Sequence, residues 1–281
     1  VYSFEMPVLA KQWLLAGAIM LLTLTAVYLH KFVESGRNRP GIFGCVDDHG
    51  QNAGDYVVKL AGAMDTRERG PSSELIASHL AAHLGLLRPE PAAVMLHPDL
   101  IGWLSVQKPD LARILRASSG LNFGTKLLTD GALWPIGREL PDTMLLAAGQ
   151  IFAFDALIEN DDRRQDNQNI LVRGDDIFVI DHEAAFSFLY ALGRSQSQPW
   201  EVRNRPSLRR HLFYYQLRKR PVDLRSFIAR LADLGDTELE RIVREVPGEW
   251  RHSELGRIST HLQCVRDHAG EFQRQVLEAL A

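Results

Sequence analysis

The feature that most restricts what this chain can fold into is an abrupt change of pattern between residues 154 and 181. Apolar residues at helical spacing, Phe154, Leu157 and Ile158, run into a dense polar loop in which six of the ten residues from 160 to 169 are Asp or Asn. Asn169-Ile170-Leu171-Val172 then reads as a strand, Arg173-Gly174-Asp175-Asp176 as a turn, and Ile177-Phe178-Val179-Ile180 as the returning strand that delivers Asp181. A helix that hands an acidic loop directly to a hairpin brings Asp162, Asn167 and Asp181 to the hairpin's open ends. Two carboxylates and an amide form a hard-oxygen donor set of the kind Mg²⁺ takes alongside substrate phosphates. Asp162 and Asn167 are five residues apart, a separation at which a carboxylate base and a metal-binding amide can share one loop. Asp161 and Asp166 have the same separation and could exchange roles with them.

A second group lies upstream. Residues 23–28, Gly44-Cys45-Val46 and residues 55–60 read as three strands, separated by polar Gly- and Pro-containing turns at 34–40 and 47–50. Lys59 follows Tyr56-Val57-Val58 at the end of the third strand. Pro71-Ser72-Ser73-Glu74 then predicts a helix start, with a Ser cap and Glu74 in an acidic first turn, Ile76, Leu80 and Leu84 on one face, and Gly85 as the stop. A strand lysine and a glutamate on the following helix can pair so that the ammonium faces a bound phosphate. Taken singly, Lys59 also suits an edge strand, and Glu74 suits the positive end of a helix dipole. His79 and His83 have a metal-compatible spacing of four, but without a Glu at 80 or a third ligand nearby they do not predict zinc. Asp155 reads as a structural hydrogen-bonding residue rather than a catalyst. The basic stretch at 203–220, interleaved with Phe213, Tyr214 and Tyr215, reads as a solvated face over an aromatic core stripe. Thr237-x-x-Glu240 predicts a capping box opening a scaffold helix.

Composition limits the remaining classes. With 46% hydrophobic residues the chain is not disordered, and with Lys+Arg 32 against Asp+Glu 35 its net charge of −3 gives no general reason to expect a nucleic-acid partner. Cys45 and Cys264 exclude a disulfide framework and agree with a reducing cytoplasm. One run argues otherwise. Residues 12–29 are uncharged, and eighteen residues reach the lower edge of a membrane span. Its second half is rich in β-branched and aromatic residues, which favours a strand preceded by a buried or docking helix and leaves a membrane anchor as the alternative.

The chain resembles the HipA-like kinases, in their compact single-domain branch. The matching segments are Asp55-Tyr56-Val57-Val58-Lys59, the stretch from Glu74-Leu75-Ile76-Ala77 to Leu84-Gly85-Leu86, and Gly120-Leu121-Asn122-Phe123-Gly124. The block from 154 to 172, Val179-Ile180-Asp181-His182 and Val246-Pro247-Gly248-Glu249-Trp250 complete the set. The resemblance implies an α+β, two-lobed protein-kinase-like fold that uses ATP and Mg²⁺ for phosphoryl transfer to a hydroxyl, with a protein Ser/Thr as first choice of acceptor. In that layout residues 1–21 are an apolar extension, 22–118 a β-rich lobe that binds nucleotide phosphates, and 119–281 a helical lobe with the catalytic hairpin. Lys59 would hold the phosphates, aided by Gly36 and Arg37 of the covering turn, and Glu74 would hold Lys59. Asp162 would be the catalytic carboxylate, and Asn167 and Asp181 the metal ligands.

The chain also departs from that pattern. The covering turn has only Gly36, with Arg37 and Arg39 beside it. Glu183 replaces the usual Gly after Asp181-His182, and Arg164 stands where phosphoinositide kinases of the wider superfamily carry His. A nucleotide-binding pseudokinase, a small-molecule kinase and a membrane-tethered interaction protein are the competing expectations.

Overall fold

A computed structural model describes residues 21–33, 40–64, 68–190 and 198–281. The first lobe is a closed five-stranded barrel in the order β1 (Leu22–Phe32), β2 (Gly41–Val46), β3 (Asn52–Val58), β5 (Gly120–Lys126), β4 (Pro91–Leu96). β1 closes it by pairing antiparallel with β2 and parallel with β4, Leu22–Thr25 lying against Ala92–Met95. Its register slips between Ala26 and Tyr28 and again between Leu29 and Lys31, and such bulges bend a strand enough to serve two neighbours. Leu24, Ala26, Phe43, Cys45, Tyr56, Val58, Ala92 and Val94 fill the interior. Helix α2 (Pro98–Gln107) adds Ile101 and Leu104 to this core, and α3 (Ala112–Ala117) adds Leu115.

The lobe boundary expected at 118/119 is therefore displaced. β5 pairs with β3 through Val58↔Gly124 and with β4 through six residue pairs, so the first lobe runs on through Lys126. The eighteen-residue uncharged run is likewise broken, because its second half forms β1; its first half lies outside the described residues. Among the described residues no helix is long and apolar enough to cross a membrane.

Between the barrel and the rest of the chain lies helix α1 (Arg69–His83), buried continuously from Gly70 to Ala81. A helix buried on all sides is a core element. The helix begins earlier than expected: Pro71, Ser72 and Ser73 lie within it, its N-cap is Glu68 with no side-chain cap bond, and Glu74 sits in the second turn. Proline is tolerated there because first-turn N–H groups have no partner within the helix. Gly85 ends it with φ +80, and the Arg230 guanidinium occupies the space a β-carbon would need.

The second lobe packs around α4 (Leu145–Leu157), followed by the polar loop and the hairpin β7 (Ile170–Arg173) and β8 (Asp176–Val179), with β6 (Ala132–Leu133) as a third strand. Short helix α5 (Tyr214–Leu217) and helices α6 (Arg225–Ala232), α7 (Asp236–Arg244), α8 (Leu255–Asp267) and α9 (Ala269–Leu280) complete it. α7 starts one residue before the expected capping box, from Gly235, with Asp236 and Glu238 in its first turn and no side-chain cap. The basic stretch is a 3-10 turn (Pro206–Arg210) plus α5 rather than one helix face; Phe213 and Tyr214 are buried and Tyr215 is exposed.

One buried group makes this lobe pH-sensitive. His261 on α8 stacks on Phe188 with centroids 4.4 Å apart, and its Nε2 lies 2.8 Å from the Leu157 carbonyl. Burial brings its pKa down to about 4, with the Arg205 charge adding to the effect against the Leu157 hydrogen bond. Unfolded chains protonate this imidazole near pH 6.5, before the native protein does. Stability is thus fully present above pH 6.5 and falls as pH drops towards 4, by about 3 kcal/mol from this group. Urea midpoints at pH 7 and 4.5 should show that loss, and His261→Gln should reduce the difference between them.

Candidate functional site

The two lobes meet at a cleft of about 1060 Å³ whose lining includes Lys59, Glu74, Asp162, Asn167 and Asp181. Its volume is at the upper end for small-molecule sites. Its lining includes Ile42 and Val57 from the barrel, Leu171 and Val179 from the hairpin region, and Phe123 and Leu127. These apolar side chains can take a flat ring system, and the charged ones can take phosphates.

Lys59 follows β3, its backbone N–H donating to the Phe123 carbonyl at 2.9 Å. Its ammonium donates to Glu74 Oε1 and, at 2.7 Å, to Asp181 Oδ1. Glu74 Oε2 accepts the backbone N–H of His182 at 2.9 Å. Barrel, α1 and hairpin end therefore converge on one buried carboxylate. Burial alone would push both pKa values towards the neutral forms. For Lys59 it is outweighed by Glu74 and Asp181, so the ammonium holds its proton more tightly than a free lysine. For Glu74 it is outweighed by Lys59 and the hydrogen bond from His182, and the carboxyl stays ionised well below the usual range.

Asp181 has φ +59, a left-handed conformation that Asp adopts more readily than most L-residues. The turn carries the chain out of β8 and leaves the carboxylate in the cleft. In the polar loop, Asn167 Nδ2 donates to Asp162 Oδ2 at 2.7 Å and to the Asp162 carbonyl at 3.2 Å. With its Nδ2 end engaged, the Oδ1 end is the one available to a cation. Arg164 Nη2 lies 3.6 Å from Asp162 Oδ1, and its Nε donates to Asp166 at 3.2 Å. The alternative pair, Asp161 and Asp166, lines the same cleft. Asp166 is 77% exposed, whereas Asp161 accepts from Ser187 at 3.4 Å.

The loop is held from beneath by Arg163, which nothing in the sequence pattern singled out. The residue is only 1% exposed; Nε donates to Asp155 Oδ2 at 2.6 Å and Nη1 to the Asn169 and Ile180 carbonyls. Asp155 also takes His211 Nε2 at 2.9 Å and Asn160 Nδ2 at 2.9 Å. Burial opposes its charge, but Arg163 and His211 hold its carboxyl far below the usual range. One buried ion pair thus ties α4 to both ends of the hairpin. Arg163 and Arg164 are adjacent and chemically alike, and only the fold turns one inward.

Gly36, Arg37 and Arg39 lie outside the described residues. Glu183 follows His182 on the cleft wall. Among the described residues no cluster of His, Cys, Asp or Glu is arranged as a metal centre; His83 instead meets the Arg230 carbonyl at 3.1 Å, and His79 lies 3.1 Å from Glu245. Mg²⁺ bound with a nucleotide needs fewer protein ligands, because phosphates and water complete its shell. Asp181 and Asn167 fit that lesser demand.

Known proteins bear out the family and the fold. The sequence model described as HipA-like kinase matches residues 27–276. Among solved structures, the Helicobacter pylori proinflammatory kinase CtkA aligns with a TM-score of 0.52 and 12% identity, over 92% of this chain and 98% of that one. A Neurospora crassa PAN3 pseudokinase aligns with a TM-score of 0.35 and 12% identity, over 93% and 67%. No curated protein sequence matches.

Proposed function

The chain belongs to the HipA-like kinase family, and on that premise we propose that it transfers a phosphoryl group from MgATP to a protein serine or threonine. The observation that carries this reading is the 2.7 Å contact between Lys59 at the barrel's edge and Asp181 at the hairpin's end, in a cleft that also holds the Asp162–Asn167 pair. Charge spreads over the transferred oxygens in such a reaction, so catalysis rests on positioning and charge neutralisation. Lys59 holds the phosphates, and Glu74 keeps its ammonium aimed into the cleft. Asp181 and Asn167 hold the divalent cation, which supplies charge neutralisation at the phosphates. Asp162, with Oδ2 fixed by Asn167, orients the acceptor hydroxyl and takes its proton at a carboxylate oxygen. The choice of a protein acceptor rests on family membership.

The test is phosphate transfer from labelled ATP with Mg²⁺, followed by mass spectrometry of the protein and a cognate lysate. Lys59→Met is expected to weaken MgATP binding by about 10–100-fold, the equivalent of one charge-assisted hydrogen bond set. Titration by thermal shift measures it; equal affinity in the variant would remove Lys59 from the phosphate site. Glu183 beside Asp181 favours a second reading, a pseudokinase that binds nucleotide without transferring phosphate. Binding by wild type with no phosphate released or transferred would establish that reading.

A further inference from the structure

The segment from 246 to 254 has no part in the chemistry described so far, yet it touches both supports of the Lys59–Glu74 pair. Gly248–Trp250 form a 3-10 turn that buries Trp250 to 2% exposure. The Trp250 ring meets Phe123 edge-on, with centroids 6.5 Å apart and planes at 62°. Phe123 is the residue whose carbonyl receives the Lys59 backbone N–H. Two residues on, His252 Nε2 lies 3.0 Å from Ser72 Oγ, and Glu254 forms an ion pair with Arg69. Ser72 and Arg69 lie in the opening turn of α1, which lacks a side-chain cap of its own, and Glu74 is two residues further on. Arg251 stiffens the segment by donating from Nε to the Val246 carbonyl at 3.0 Å and from Nη2 to the Arg244 carbonyl at 2.9 Å.

We propose that residues 246–254 are the positioning element of the nucleotide-phosphate site: Trp250 sets the strand end that carries Lys59, and His252 with Glu254 sets the opening turn of the helix that carries Glu74. The proposal rests on the reading of Lys59 and Glu74 as phosphate-site residues, and it makes these three positioning residues rather than catalytic ones. Uncapped first turns fray because their N–H groups lack partners. Here the opening turn is pinned by side chains from a segment about 180 residues away. The two halves of the ion pair come from different elements, the end of β3 and helix α1, and one short segment touches the supports of both.

The test compares the wild-type chain with the His252→Ala/Glu254→Gln double variant and with His252→Gln. His252 and Glu254 are half-buried, outside the hydrophobic core, so the fold should persist. Amide hydrogen exchange without nucleotide is expected to speed up at least 10-fold across residues 69–75 in the double variant, with residues 255–280 unchanged. ATP with Mg²⁺ should bind about 10-fold more weakly, and His252→Gln should recover much of both effects by keeping a partner for Ser72. Unchanged exchange at 69–75, or a rise spread evenly over the second lobe, would overturn the proposal. Failure of wild type to bind ATP would refute the nucleotide reading instead, and the exchange result would still decide whether the segment holds α1.

Discussion

Asp181→Asn is expected to abolish metal-dependent ATP binding and to lower phosphoryl transfer by about 10³-fold or more, since loss of a metal ligand forfeits several kcal/mol of charge stabilisation. Asparagine is the informative replacement because the residue sits at φ +59, where Asn is tolerated and Ala would add strain. It also leaves an oxygen for the Lys59 ammonium, now 2.7 Å from the carboxylate. Loss of the Mg²⁺-dependent thermal shift with little change in melting temperature without ligand would tie the residue to the metal. Asp162→Asn should behave differently: MgATP binding is kept, while transfer falls by about 10²–10⁴-fold with loss of the proton acceptor. Equal transfer by wild type and Asp181→Asn would defeat the proposed mechanism.

The largest effect on stability is expected from Asp155→Ala. It would leave the Arg163 guanidinium, almost wholly buried, with backbone carbonyls but no counter-charge, and His211 without its acceptor. Breaking a buried pair from one side costs about 3–5 kcal/mol. Chemical denaturation should show this as a lower midpoint, with transfer lost as the loop is released from α4. Asp155→Leu combined with Arg163→Met should be less destabilising than the Asp155 change alone, because no unpaired charge then remains. A double variant weaker than the single would show that the hub's value lies in its hydrogen bonds to the loop rather than in charge balance.

The elements legible in the sequence were those with a local signal. The hairpin around Gly174 and the strand before Lys59 are set by alternation and turn residues a few positions apart, and the order Lys59, Glu74, Asp162, Asn167, Asp181 could be read because each stands beside such an element. What escaped depends on distant partners. β5 looked like the start of the second lobe because its pairing with β3 and β4 leaves no mark on its own residues. The start of α1 is hard to place from sequence because Ser72 and Ser73 resemble caps; Ser72 instead meets His252, and the N-cap is Glu68, four residues before Ser72. Arg163 escaped because a loop has no period by which to tell an inward from an outward side chain.

The closure of the barrel by β1 against β4 limits how other molecules can approach the first lobe. An open sheet leaves a row of unsatisfied main-chain groups that an extended peptide or a second chain can extend by β-augmentation. Here each strand has neighbours on both sides, which guards the lobe against edge-to-edge aggregation. A regulator that engages it must therefore recognise side chains on its outer face or its connecting loops.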